Sequence, residues 1–198
     1  MKSTSDFSFE ELVENLRTIT PRSEIILEEV PAPQKLAMYS FAFTADVLAH
    51  PPVAQPDEEE IASGRFVILH EPGGQDTWEG NFRCVTFMRA DVDSQMQEDP
   101  LLPEVGWNWL LDSLNATGAT FKAPSGTVTR VSSASFGKLT PRSDDSEIEI
   151  RASWTPVINS RDDIFSHVHA WCNLMSEVAG LPPIPDGVAS INSARRRG

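Results

Sequence analysis

RDDIFSHVHAWCNLMSEVAG, Arg161 to Gly180, is the stretch on which the fold turns. Wound at about 3.6 residues per turn, its polar positions Asp162, Ser166, Asn173 and Glu177, with the small Ala170, fall on one narrow stripe. Ile164, Phe165, Val168, Trp171, Cys172, Leu174, Met175 and Val178 occupy the rest of the girth. A helix apolar over so much of its circumference needs a neighbouring layer broad enough to bury it. Ser160 is placed to cap its start, Gly180 to stop it, and Pro182 lies just beyond.

The layer is written upstream, in strands. Glu147 to Trp154 alternates Ile148, Ile150, Ala152 and Trp154 with Glu147, Glu149, Arg151 and Ser153, which predicts a half-buried strand with one wet face. Met38 to Val47 places Tyr39, Phe41, Phe43, Ala45 and Val47 on one side in the same way. Glu24–Val30, Arg65–His70, Phe82–Asp91 and Thr127–Ser135 read as four more strands. The PAP of Pro31–Pro33 bends the chain, and EPGGQDTWEGN, Glu71 to Asn81, is too long for a two-residue hairpin.

Two further helices complete the pattern. In SFEEL, Ser8 and Glu11 form a capping box ahead of Leu12, Val13, Leu16 and Ile19. In DPLLPEVGWNWLLDSL, Asp99 to Leu114, Trp107 shares a helix face with Leu110, Leu111 and Leu114, and Gly118 closes the helix. Trp109 points about 200° away. It therefore packs under a loop or the first helix, or joins Trp78 in an exposed aromatic patch that anchors a partner.

The element order is helix, four strands, helix, two strands, helix. Short connections make neighbouring strands antiparallel, so the expected class is α+β: a sheet of about six antiparallel strands with helices packed on it. One domain over residues 7–188 is expected. Within it LAHPPVAQPDEEEIASG, Leu48 to Gly64, reads as a mobile acidic, proline-rich loop. Residues 189–198, with Arg195, Arg196 and Arg197, read as a flexible basic tail.

The formal net charge of −13 argues against a sequence-independent grip on nucleic-acid phosphates, so nucleic acid is not an expected partner. No window approaches the roughly 18 consecutive apolar residues of a membrane span. Two cysteines, Cys84 and Cys172, and no leader-like start fit a cytoplasmic protein with reduced thiols.

Five blocks in order, GRFVILHEPGGQDTWEGNFRCVTFMRA (64–90), DPLLPEVGWNWL (99–110), GTVTR (126–130), IRASWTP (150–156) and AWCNLMSEVAGLPP (170–183), carry a resemblance. They are similar to an actinobacterial family of uncharacterised proteins, over about Phe9 to Val188. The resemblance implies no catalytic residues; similar proteins are often encoded beside a ribonuclease-D-like exonuclease. The proline-rich loop looks longer here than is usual in that family. The element order is also similar to small secretion-chaperone-like α/β-sandwich domains, an analogy of fold alone.

Candidate chemistry is sparse. His169 and Cys172, at i, i+3 in HVHAWC, have metal-ligand spacing without a further specified ligand, and a packed helix accounts for them as well. Cys84 and His70 on adjacent strands would suit a thiol and its base, or a sheet interior. The glycines of EPGGQDTWEG lack the lysine and following helix of a phosphate loop.

Arg65, Arg83, Arg89, Arg130 and Arg151 all fall on expected strands. Paired with Glu79, Glu147 and Glu149 they make an ordinary wet face; gathered on one side, they would bind an anion. The leading expectation is a non-catalytic protein-binding or assembly module using Trp78 and Trp109, with a protein partner or self-association. The alternative is an enzyme or sensor that binds a small anionic ligand through Arg65, Arg83, Arg130, Arg151 and Trp154. No catalytic residue, metal or cofactor is assigned.

Overall fold

The first helix, α1 (Phe9–Leu16), starts at the expected capping box. The Ser8 hydroxyl oxygen accepts from the Glu11 amide at 3.1 Å, and the Glu11 carboxylate accepts from the Ser8 amide at 2.7 Å. Its apolar face, Phe9, Leu12, Val13 and Leu16, is buried. The computed structural model describes residues 7–52, 59–137 and 145–184.

After α1 come the strands β1 (Ile25–Val30), β2 (Tyr39–Leu48), β3 (Glu60–Gln75) and β4 (Gly80–Asp91). The helices α2 (Ser94–Glu98) and α3 (Leu102–Ala116) then lead to β5 (Phe121–Ser133), β6 (Asp145–Pro156) and α4 (Ile164–Val178). The described residues form one six-stranded sheet in the order β1-β2-β3-β4-β6-β5, with every pairing antiparallel. The fold is therefore α+β. β4 leaves the sheet through α2 and α3, returns at the far edge as β5, and the hairpin then inserts β6 between β5 and β4.

Strand alternation sorts the sheet into two faces. Phe41, Ile68, Cys84 and Trp154 are consecutive partners across β2, β3, β4 and β6, and Phe43, Phe66, Thr86 and Ala152 form the next row. These rows, with Ala45, Met88, Ile148 and Ile150, are buried under α4 and α3. α4 is buried nearly all round, its wet stripe reduced to His169, Asn173 and Glu177 beyond the first turn.

Three local expectations are corrected, and one short helix is added. β3 begins at Glu60, so the last part of the expected 48–64 loop is strand; residues 53–58 lie outside the described residues. β3 also continues through the glycines to Gln75, and the chain turns instead in a 3-10 segment at Asp76–Trp78, closed by Glu79 at φ 56°. The short helix α2 has no apolar stripe to announce it; Asp93 caps it by accepting from the Met96 amide at 2.8 Å. Finally, α4 starts three residues late, because Ser160 donates rather than caps. The Asp163 carboxylate accepts from the Asn159 amide, the Ser160 amide and the Ser160 hydroxyl. The tail at 189–198 lies outside the described residues.

α3 also sits differently from its sequence reading. Its buried face is Leu102, Gly106, Leu110, Ser113 and Leu114, with Trp107 and Leu111 half-buried. The close approach to the sheet selects Gly106: a Cβ there would lie 3.1 Å from Ile148 Cδ1 and 3.2 Å from Val128 Cγ1. That contact turns Trp107 sideways onto Gly126 of β5, where a Cβ would meet the indole at 2.9 Å and the Arg151 carbonyl at 2.4 Å. Gly106→Ala is expected to change stability little, since its helix-propensity gain of about 1 kcal/mol offsets the tight contact. Gly106→Leu is expected to lose about 1–3 kcal/mol by overpacking against Ile148 and Val128. Urea unfolding of the two variants checks this, and equal stabilities would contradict the packing.

Candidate ligand groove on the open sheet face

Because α1, α3 and α4 bury one face of the sheet, the other face carries the opposite residues of every strand. Its rows grade in chemistry. Ala42, Val67, Val85, Ser153 and Ser125 form one row, and Thr44, Arg65, Phe87, Arg151 and Thr127 the next. Beyond them Asp46, Ser63, Arg89, Glu149 and Thr129 begin an acidic end. A groove of about 670 Å³ runs over the first two rows, from Pro33 past Arg65, Val67, Val85 and Phe87 to Ser153, Ser125 and Thr127.

The two flanking arginines of the groove are held by different contacts. Arg65 donates from Nη2 to the Pro31 carbonyl at 2.6 Å, while its Nε is buried without a hydrogen-bond partner. Arg151 lies over the Phe87 ring at 5.0 Å and pairs with Glu149 at 2.9 Å. They are two strand spacings apart, roughly 10 Å. Between and beneath them the floor is apolar.

Arg83 lies lower, only 7 % exposed. Its Nη1 donates to the Ala123 carbonyl and the Thr155 hydroxyl, both at 3.0 Å, and its Nη2 to Ser125 at 3.1 Å and Ser153 at 2.7 Å. The Thr155 hydroxyl in turn donates to the Trp78 carbonyl. Burial works against the guanidinium charge, with the Glu79 carboxylate acting through space in its favour. Among the described residues it makes no ion pair.

A bulge in β5 brings these groups together: the register steps three residues, Lys122 to Ser125, against two on β6. Ala123 takes φ 45° there, a conformation that costs a non-glycine residue about 1 kcal/mol or more. The distortion aims the Ala123 carbonyl at Arg83 and sets Ser125 opposite Ser153.

Of the arginines expected to gather, Arg65, Arg83 and Arg151 do share a face, together with Arg89. Arg130 does not. It pairs with Ile148 on the helix side and donates to the Gln97 and Asp99 carbonyls, tying down the end of α2. Trp154 is likewise on the helix side, fully buried, its indole donating to His167 Nδ1 at 3.0 Å. An anion site built from all five expected residues is thus corrected by the register of β5 and β6.

Trp78 and Trp109 are not brought together either. Trp78 packs on Val67 and Leu69 on the open face, and Trp109 packs against the helix-side core; both are half-buried. Ser125, Ser153, Val67 and Val85 were not singled out from the sequence, although the alternation through Arg151 already puts Ser153 on the wet face.

The thiols are poorly placed for nucleophilic work. Cys84 is fully buried and its pKa is raised well above the usual thiol value by desolvation. His70 stacks on Phe82 at 4.1 Å instead. Burial pushes Cys172 up to about 12. His169 and Cys172 line a second groove of about 750 Å³ with Arg22 and Glu177, but among the described residues no three His, Cys, Asp or Glu side chains gather as a metal site. No helix among the described residues is long and apolar enough to cross a membrane.

Fold and groove define an α+β protein with one covered and one open sheet face. The chain matches the family described as Protein of unknown function (DUF3000) over residues 5–189 and belongs to that family. No curated protein and no solved structure matches it.

His167 gives this architecture a pH signature. Trp154 donates to Nδ1, so the neutral ring carries its proton on Nε2, which is buried without a partner. Burial lowers its pKa to about 4, against a smaller opposing pull from Asp163. Below pH 6.5 the unfolded chain takes up a proton that the folded one refuses. Stability from this group is therefore complete above pH 6.5 and falls as pH drops to about 4, by about 3 kcal/mol in all. Urea unfolding at pH 7, 5 and 4 is expected to show His167→Gln, which still accepts from Trp154, losing less stability on acidification by that amount. Parallel pH profiles would contradict it.

Proposed function

We propose that this protein is a non-catalytic binding module that holds a small anionic, amphipathic molecule in the open-face groove. The observation that carries the reading is the row Arg65–Phe87–Arg151 set beside Val67 and Val85: two guanidinium groups flank an apolar floor. An acid with a short apolar body satisfies both at once, burying its body on the floor and its anion at the arginines. In a chain of net charge −13, a face with this local surplus of arginine is a selective place for an anion.

A partner surface formed jointly by Trp78 and Trp109 has less support, because the two indoles pack against clusters on opposite faces of the sheet. The test uses 1-anilinonaphthalene-8-sulfonate, an aromatic anion, followed by fluorescence titration of the folded protein. Arg65→Gln and Arg151→Gln are each expected to weaken its binding about tenfold, the worth of one charged hydrogen bond. Arg161→Gln, away from the groove, is expected to change nothing. Equal affinity in all four proteins would overturn the reading.

A further inference from the structure

Arg83 is the unusual charge in this molecule. Arg22, also partly buried, is neutralised by a carboxylate, pairing with Glu24 at 2.9 Å. Arg83 is more deeply buried, yet its four hydrogen bonds all go to neutral oxygens. A guanidinium stays charged under all ordinary conditions, and a buried charge is expensive when left uncompensated. Two of its acceptors, Ser125 and Ser153, line the groove.

The hydrogen bonds fix what those serines can do. Each Oγ already accepts from Nη2, so each hydroxyl hydrogen must point away from Arg83. The two oxygens are 3.3 Å apart, close enough for one hydroxyl to donate to the other. Only one hydrogen can bridge them, which leaves at least one hydroxyl donor free for a ligand. The same logic is visible at Thr155, which accepts from Arg83 and passes its own hydrogen on to the Trp78 carbonyl.

Resting on the groove reading above, we infer that Ser125 and Ser153, backed by the buried Arg83 guanidinium, form a recognition subsite for the phosphate of a phosphomonoester. Acceptor number and charge favour one class of anion. Arg65, Arg83 and Arg151 outnumber Glu149, which pairs with Arg151, and Glu79, which acts on Arg83 through space, so a positive surplus remains around the groove. A phosphomonoester carries about −1.5 to −2 at neutral pH and presents three acceptor oxygens, whereas a carboxylate or sulfate ester carries −1. The donors beside the serines also approach from separate directions, with Ser125 on β5 and Ser153 and Arg151 on β6. That arrangement suits a tetrahedral head better than a planar one. Arg83 is thus a positioning residue: it orients the hydroxyls and supplies charge from below without touching the ligand.

The test compares octyl phosphate with octyl sulfate, which has the same shape and chain but one charge fewer, by calorimetric titration below their micellar concentrations. The wild-type protein is expected to bind octyl phosphate at least tenfold more tightly. Ser125→Ala/Ser153→Ala is expected to lose at least tenfold in octyl phosphate affinity and, with it, the preference for octyl phosphate over octyl sulfate. Arg83→Gln, where its melting curve shows it folded, is expected to bind the two octyl compounds alike; the serine variant carries the test where it does not. Inorganic phosphate is expected to displace octyl phosphate. Equal potency of the two would identify the ligand as the free ion, and a tenfold deficit would identify an organic phosphomonoester. Wild-type protein that binds the dye but does not distinguish octyl phosphate from octyl sulfate overturns this inference and leaves the groove standing. Failure to bind the dye or either octyl compound overturns both.

Discussion

The burial of α4 on one face of the sheet is the constraint from which the other features follow. A helix that is apolar around most of its girth has to lie against a broad apolar surface, and the rows led by Phe41 and Phe43 provide it. Once that face is taken, alternation assigns every strand side chain to one layer or the other with no further freedom. Arg65, Arg83, Arg89 and Arg151 each sit one residue out of phase with a buried neighbour, Phe66, Cys84, Met88 and Ile150 or Ala152, and so must emerge together. Arg130, in phase with Val128 under α3, must emerge on the other side. The open face is thus a consequence of core packing, and its chemistry is whatever the alternate positions hold.

Within that face the energetic tension is concentrated at Arg83. Ion pairing is the ordinary way to keep an arginine in a partly buried setting, and the Arg22–Glu24 pair shows its effect: hydrogen bonding by Arg22 holds the Glu24 carboxyl down at about 2. At Arg83 the chain instead distorts β5, placing Ala123 in the left-handed region to direct a carbonyl at the guanidinium. Four neutral acceptors take four of its five hydrogens, and no carboxylate among the described residues forms an ion pair with it. Strain and a buried charge without an ion pair thus coincide at one spot beside the groove, the spot on which the proposed subsite rests.

The sequence made the layers legible because their signals are periodic. The alternation of Glu147–Trp154 and Met38–Val47, the girth of α4 and the capping box at Ser8 each survive into the structure, and together they define the class. The misses are places where no period applies. β3 stays extended through Pro72, Gly73 and Gly74, residues that locally favour turning, although its pairing with β2 ends at His70 and its pairing with β4 skips from His70 to Gln75. Ser160 was the expected cap, but its amide and hydroxyl both donate to the Asp163 carboxylate, so the chain makes a turn there and the helix starts later. The groove was half legible. Arginine phases could be read strand by strand, but Ser125 reaches Ser153 only through a one-residue bulge that no composition marks, and Arg130 needed the pairing register to be excluded.

An apolar floor on an open sheet is also a hazard, since such faces invite association with other chains. Here part of it is covered from within. The segment between β1 and β2 folds back, its Pro33 carbonyl accepting from the Ser40 hydroxyl and its Pro31 carbonyl from Arg65. Val30, Ala32, Ala37 and Trp78 pack over Ala42, Val67 and Leu69. What stays uncovered, Val85 with one side of Val67, is bracketed by Arg65, Arg151 and the serines. Charges at such a border are costly to desolvate against a neutral surface, so a large apolar partner meets a barrier there that a small anion does not. In the proposed reading, the guanidinium groups that hold the anion also keep the floor from serving as a general adhesive.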